Sequence, residues 1–210
     1  MGCSWRAARY DPAPTLALHR LVCVLAALRF ARAAGDGAAP GAVRAYPGVP
    51  DAKAAGANNT RALNAALAAL HPGDTLLIPN KTYYLAGGVR ADGLHNVTVQ
   101  LDGTLSFLPG RAGWPTRPAD KCDVIPLQPK RNKSCVQECI FITGSTGLTF
   151  TSAGEATLYG AGESWWGYIE YLLHGEDRPR LFALYNVTDV LVERWNFYQS
   201  PYWTFTAFDV

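Results

Sequence analysis

Hydrophobic and polar positions along the chain fall into two regimes that meet near Asp74. Upstream, Leu63, Leu67 and Leu70 recur at helical spacing inside an alanine-rich run, residues 61–70, which predicts one helix with a narrow apolar face. Asn59 or Thr60 can cap it, because short side-chain oxygens accept the first helical N–H groups. His71-Pro72-Gly73-Asp74 then stops it. Downstream, short β-type runs alternate with turn residues. Thr75-Leu76-Leu77-Ile78 and Thr82-Tyr83-Tyr84-Leu85 come first, and Val97-Thr98-Val99-Gln100-Leu101 and Thr104-Leu105-Ser106-Phe107-Leu108 flank the turn dipeptide Asp102-Gly103. Ile140-Phe141-Ile142, Leu148-Thr149-Phe150, Ala156-Thr157-Leu158-Tyr159, Val190-Leu191-Val192 and Trp195-Asn196-Phe197 follow. Strands this short and numerous predict a sandwich, a barrel or a stack of coils.

Self-similarity favours the stack. His95-Asn96-Val97-Thr98-Val99, Thr146-Gly147-Leu148-Thr149-Phe150 and Tyr185-Asn186-Val187-Thr188-Asp189-Val190 share one shape: Asn or Gly at a turn, an aliphatic residue, then Thr. Asn and Gly suit such turns because they tolerate left-handed backbone that β-branched residues resist. Each coil would bury one side in a shared core and pair with its neighbours above and below. The helix 61–70 is the expected lid over the first coil. A sandwich with repeated turns is the alternative.

One stretch breaks the rhythm. Residues 109–137 carry Pro109, Pro115, Pro118, Pro126 and Pro129, which exclude a central strand, and two cysteines that could cross-link the loop. It reads as an ordered excursion beside the stack. Its cationic tip, Lys130-Arg131-Asn132-Lys133, is expected to be simply solvated.

Charge changes the picture only at the start of the chain. Five arginines and one acid precede Ala34, leaving 14 basic against 16 acidic residues beyond it. No basic field remains for nucleic acid. Residues 1–33 instead read as a signal peptide: arginines, the apolar run Leu21-Val22-Cys23-Val24-Leu25-Ala26-Ala27-Leu28, and small residues at Ala31-Arg32-Ala33. A transit peptide is the alternative. Eight apolar residues are too few for a membrane span, which needs about 20, so no stable membrane anchor is expected. Residues 34–50 read as a linker. Export agrees with the N-glycosylation sequons at Asn58, Asn80, Asn96, Asn132 and Asn186. Beyond the leader lie Cys122, Cys135 and Cys139, whose spacing is poor for zinc and suits a disulfide, the odd cysteine being either a free thiol or one with a partner elsewhere. No metal and no cofactor are expected.

Gly160-Ala161-Gly162-Glu163-Ser164-Trp165-Trp166, Arg178-Pro179-Arg180-Leu181 and Ser200-Pro201-Tyr202-Trp203, in that order, resemble the polygalacturonase family of glycoside hydrolases. The stretch from Asn59-Thr60 through the helix to Pro79 and Tyr83 is similar to the family's opening, though it lacks an acidic pair before the Thr and a Cys at the helix end. The resemblance spans residues 51–210. It implies an all-β fold, a right-handed parallel β-helix with an N-terminal capping helix. It also implies a secreted, cell-wall-directed enzyme, monomeric when full-length, that hydrolyses pectin-type acidic polysaccharide.

Inverting glycosidases of this kind need two carboxylates, an acid and a base, about 6.5–9.5 Å apart. The motifs that supply them in the family, Asn-Thr-Asp, Asp-Asp, Gly-His-Gly and Arg-Ile-Lys, do not occur in this sequence. The resemblance would put them after Val210, so the chain is expected to be the leading, inactive portion of the enzyme. Groove candidates are Trp165, Trp166, Trp203 and Arg178, although tryptophans at such loops more often pack than stack on sugars. Glu163, Glu170, Glu176 and Asp177 are the available local acids and are better explained as surface residues. The rival readings are a non-catalytic carbohydrate-binding coil stack and a calcium-dependent, pectate-lyase-like enzyme.

Overall fold

Thirteen strands and one α-helix make up the regular structure of the described residues, apart from short 3-10 turns at Lys53–Ala55 and Gly162–Ser164. A computed structural model describes residues 41–119, 122, 134–166 and 178–210. The expected leader, Asn132, the cationic tip 130–133, Glu170, Glu176 and Asp177 lie outside the described residues. In chain order the elements are β1 (Val43–Ala45), α1 (Gly56–Ala68), β2 (Thr75–Ile78), β3 (Thr82–Leu85), β4 (Val89–Asp92), β5 (His95–Leu101) and β6 (Thr104–Phe107). Then come β7 (Thr116–Arg117), β8 (Cys135–Val136), β9 (Ile140–Thr151), β10 (Ala156–Tyr159), β11 (Phe182–Val192), β12 (Trp195–Tyr198) and β13 (Phe205–Phe208).

The protein is mostly β, with parallel sheets and little helix, which is consistent with the expected coil stack. Three faces recur in the order of the chain. The first holds β1, β2, β5 and the downstream halves of β9 and β11. The second holds β3, β6, β10 and β12. The third holds β4, the upstream halves of β9 and β11, and β13. Every pairing on these faces is parallel; among the described residues the one antiparallel pair is β7 with β8, inside the excursion. Parallel pairing puts equivalent side chains of successive strands in line, and the pleat sends alternate residues to opposite sides. β2 and β3 accordingly alternate half-buried and buried.

β9 and β11 pass from the third face to the first through a bend built from left-handed residues three apart. Register stacks Gly93, Gly144, Asn186 and Asp209 at one corner, with φ of 67°, 57°, 51° and 52°. It stacks Asn96, Gly147 and Asp189 at the next, with φ of 49°, 67° and 55°. Leu94, Ser145 and Val187, between the two corners, point inward and are buried. This shifts one sequence expectation. Asn186 matches Gly93 and Gly144, whereas Asp189-Val190 is the true counterpart of Asn96-Val97 and Gly147-Leu148. Both corners select the same small polar or glycine residues, so Asn186-Val187-Thr188 imitates the second corner while occupying the first.

The interior is a single apolar column of aliphatic residues, with Phe150, Phe182 and Trp195 meeting edge to face at ring separations of 5.1–6.0 Å. Helix α1 covers one end of it, burying Leu63 and Leu67. Two details differ from the sequence reading. The helix runs Gly56–Ala68, so Asn59 and Thr60 lie within it and act as tethers rather than caps. Asn59 bonds the N–H and carbonyl of Val49 and the carbonyl of Tyr84, while the Thr60 hydroxyl accepts from the Ala86 N–H. The stretch 34–50, read as a linker, contains β1, which pairs with β2; Tyr46 just after it is buried and donates to the Asn59 carbonyl at 2.7 Å. Local composition hid both features, because edge pairing and tethering depend on partners distant in sequence.

A disulfide joins Cys122 to Cys135, and Cys139 is a buried thiol. Closing a loop with 13 residues of sequence separation removes chain entropy worth on the order of 3 kcal/mol.

Candidate functional site

The third face carries the chemistry, and its register builds the site row by row. On β4, Val89 and Ala91 point into the core while Arg90 and Asp92 are exposed. Arg90 aligns with Phe141, Ala183 and Thr206, and Asp92 aligns with Thr143, Tyr185 and Phe208. Phe141 and Ala183, with Tyr185 and Phe208 against them, form a small apolar cluster separate from the core. The side of this face turned away from the core is thus apolar and hydroxyl-bearing, with Phe141, Ala183 and Thr206 buried and Arg90 and Asp92 exposed at one end.

The wall on the upstream side of these strands is built by the segments that enter them. Glu138 precedes β9 and Arg180 precedes β11; both are buried. Arg117 on β7 pairs with Glu138 through Nη1 and Oε2 at 2.7 Å, and Arg180 Nη1 approaches Glu138 Oε1 at 3.5 Å. Arg117 lies 5.1 Å from the centroid of the Phe141 ring, so the excursion reaches over the third face. Arg180 stands 5.4 Å from the Trp203 ring, Tyr202 stacks on Trp203 at 5.2 Å, and Arg178 lies 4.8 Å over Tyr202. Cations, one anion and aromatic rings alternate along this wall. With two guanidinium groups holding Glu138, its carboxylate acts as a tie between the excursion and the strand entrances, because removing either partner would strand a buried charge.

The residues singled out from sequence separate into two groups. Arg178 and Trp203 come together through Tyr202 on the wall, and Trp166 joins them by donating its indole N–H to the Ser200 carbonyl at 3.0 Å. Trp166 and Trp203 are 49% and 43% exposed, so each presents a ring surface outward. Trp165 does not: it is 1% exposed and meets Trp114 edge to face at 5.1 Å. Its ring fills space beneath the excursion and offers no surface to a ligand. The Gly160 and Gly162 turn lets residues 199–201 approach closely, since a Cβ on Gly160 would stand 2.7 Å from Pro201 Cδ. Asn58, Asn80, Asn96 and Asn186 are all exposed, Asn58 within α1 and the others at turns or corners.

Other candidate chemistry is tied up locally. Glu163 accepts the Tyr159 hydroxyl at 2.5 Å, and this bond, with burial adding to it, pushes the phenol up to about 12. Burial raises the Cys139 thiol well above its ordinary value, which keeps it protonated. Among the described residues no three His, Cys, Asp or Glu side chains come together in a way that could hold a metal ion, and no helix is long and apolar enough to cross a membrane.

Sequence reasoning missed Arg90, Asp92, Arg117 and Glu138, and named Arg180 within a motif without giving it a role. Arg180 and Glu138 were detectable in principle as charged residues placed immediately before apolar strand runs. Arg90 and Asp92 alternate with Val89 and Ala91, a half-buried strand pattern too short to stand out alone.

No family model matches the chain, and no curated protein matches it. Among solved structures, a hyperthermoactive exopolygalacturonase from Thermotoga maritima is similar with a TM-score of 0.47 and 16% identity, over 69% of this chain and 38% of that one. The chain therefore spans well under half the length of that protein.

Proposed function

We propose that this chain forms the first windings of a secreted, right-handed parallel β-helix glycoside hydrolase acting on an acidic, polygalacturonate-type polysaccharide, with substrate lying along the third face. The observation that carries this reading is the placement of the exposed Arg90 on the outer side of the third face, on which Arg178, Tyr202 and the exposed Trp203 form a wall of cations and rings. Guanidinium groups suit sugar carboxylates and aromatic faces suit sugar C–H surfaces. The resemblance of residues 160–166, 178–181 and 200–203 to the polygalacturonase family supports the same substrate class.

Hydrolysis on this reading needs an acid and a base on opposite sides of the scissile bond. Asp92 is the exposed carboxylate among the residues aligned on the third face, and Glu138 is engaged by Arg117 and Arg180. The carboxylate pair is accordingly assigned to groups outside the described residues. That same observation favours a second reading, a carbohydrate-binding stack without hydrolytic activity.

Affinity electrophoresis of the 210-residue chain separates these from unrelated functions. Retardation in gels containing polygalacturonate, and none in gels containing a neutral glucan, is the expected result. Equal mobility in both would overturn the acidic-polysaccharide reading. Release of reducing ends from polygalacturonate by this chain alone would show that it already holds a complete acid/base pair.

A further inference from the structure

We propose that the trough between helix α1 and the turn before β4 is a binding site for a dianionic phosphate group, free or carried as a monoester. The inference goes beyond the polysaccharide reading and stands without it, although Arg90 takes part in both.

Helix α1 presents Ala57, Arg61 and Asn64 to this trough, at positions four and three residues apart that share one helix face. Asn64 docks the helix on β4. Its side-chain N–H donates to the Gly88 carbonyl at 3.1 Å, and its Oδ1 accepts the Arg90 N–H at 2.9 Å. One side-chain amide thus supplies a donor and an acceptor at the strand edge, as the backbone of a neighbouring strand does. This contact brings Arg61 of the helix and Arg90 of the strand to one cavity. The excursion forms the other wall, at Pro115 and Gln137. It comes this close because the turn is Gly87-Gly88, with φ of 81° and 70°; a Cβ on Gly88 would stand 3.0 Å from Pro115 Cγ.

The cavity has a volume of about 320 Å³, near the lower limit of small-ligand sites, about 300–1,000 Å³, so it suits a compact group. Its charged lining residues are Arg61 and Arg90, both exposed, and among the described residues no Asp or Glu lines it. Arg44, Arg117 and Arg180 each meet a carboxylate, whereas neither Arg61 nor Arg90 does so among the described residues. Arg61 donates to the neutral side-chain amide of Asn58. Asp92, on the same side of β4 as Arg90, borders a neighbouring cavity instead. Two like charges at one small cavity repel each other; a group of charge −2 neutralises both, and a sugar carboxylate only one. Guanidinium forks also match phosphate oxygens, to which they donate in pairs.

The test is isothermal titration of the 210-residue chain, at constant ionic strength, with inorganic phosphate, galactose 6-phosphate and galacturonate. The better of the two phosphates is expected to bind at least about tenfold more tightly than galacturonate, and it identifies the free ion or the phosphorylated sugar as the source. Arg61→Gln is expected to weaken phosphate binding about tenfold or more and to leave retardation by polygalacturonate unchanged. Ala57→Glu, which sets a carboxylate in the trough from an exposed first-turn position that favours acids, is expected to weaken it at least as much. Circular dichroism checks that each variant folds, and either one that folds suffices. Absence of phosphate binding, galacturonate binding as tight as phosphate, or a folded variant that binds phosphate like the native chain overturns the site. Equal mobility of the native chain in polygalacturonate and neutral-glucan gels overturns the polysaccharide reading alone.

Discussion

The first and last strands of the described sheets differ in what lies against them. At the leading end, β1 pairs only with β2 among the described residues, while α1 lies against the β3 and β4 side. Asn59, Thr60 and Asn64 satisfy backbone groups there, and Leu63 and Leu67 plug the core. At the trailing end, β12 pairs only with β10 and β13 only with β11 among the described residues. Leu191, Tyr198, Phe205 and Val210 are 44–64% exposed there. An apolar concavity of about 380 Å³ opens between Leu184, Val187, Val190, Val192 and Phe205. Covering a stack therefore takes two things at once, an apolar plug and hydrogen-bond partners spaced like those of a strand. A greasy helix alone would leave the strand edges of β3 and β4 unsatisfied.

The comparison breaks most sharply with matched truncations. Leu67→Ala should destabilise the fold by about 2–5 kcal/mol in chemical denaturation, because it opens a cavity under the lid. Leu191→Ala, half-exposed at the other end, should stay within about 0.5 kcal/mol. Equal costs at the two positions would mean that α1 does not close the core.

A second contrast separates plug from hydrogen bonds. Asn59→Ala removes the partner of Val49 N–H, Val49 C=O and Tyr84 C=O while leaving the leucines in place. The loss should be about 1–3 kcal/mol, the cost of leaving a buried polar group unpaired. Faster amide exchange at Val49 should accompany it; unchanged exchange there would remove Asn59 from its role as a tether.

The gentlest probe is pH. The Asp74 carboxyl is held well below the usual carboxylate range, chiefly by the His71 backbone N–H and then by the Arg44 side chain, with the Ala42 N–H adding to them. These bonds fasten the start of β1 to β2. A carboxyl depressed in the folded state stabilises it fully above the ordinary value of about 4 and loses that contribution as pH falls below it. Thermal melts should therefore show a falling acid limb below about pH 4 that Asp74→Asn makes shallower. An identical limb in the variant would assign acid sensitivity to other carboxyls.

Much of the fold was legible because its signals are local. The runs Thr75-Leu76-Leu77-Ile78, Thr82-Tyr83-Tyr84-Leu85 and Ala156-Thr157-Leu158-Tyr159 coincide with β2, β3 and β10, and the helix was found with its start displaced to Gly56. β1 and β4 were not found, being short, charged at Arg44 or at Arg90 and Asp92, and strand-like only beside their partners. On the site, Trp166, Trp203 and Arg178 were marked by motif, but nothing in the sequence around Trp165 and Trp166 shows which of the two adjacent rings is buried. The acid that organises the wall, Glu138, gains its meaning from Arg117 and Arg180, each far away in sequence.

Sequence alone determined the element types, the repeated turn chemistry and the need for a lid, since each depends on propensities and spacings within a few residues. Tertiary structure alone decided which corner Asn186 occupies, which tryptophan faces outward, and that Asn64 stands in for a strand at the edge of β4. Those outcomes depend on register between strands distant in sequence, and a displacement of a few residues changes every cross-strand partner while leaving the local pattern almost the same.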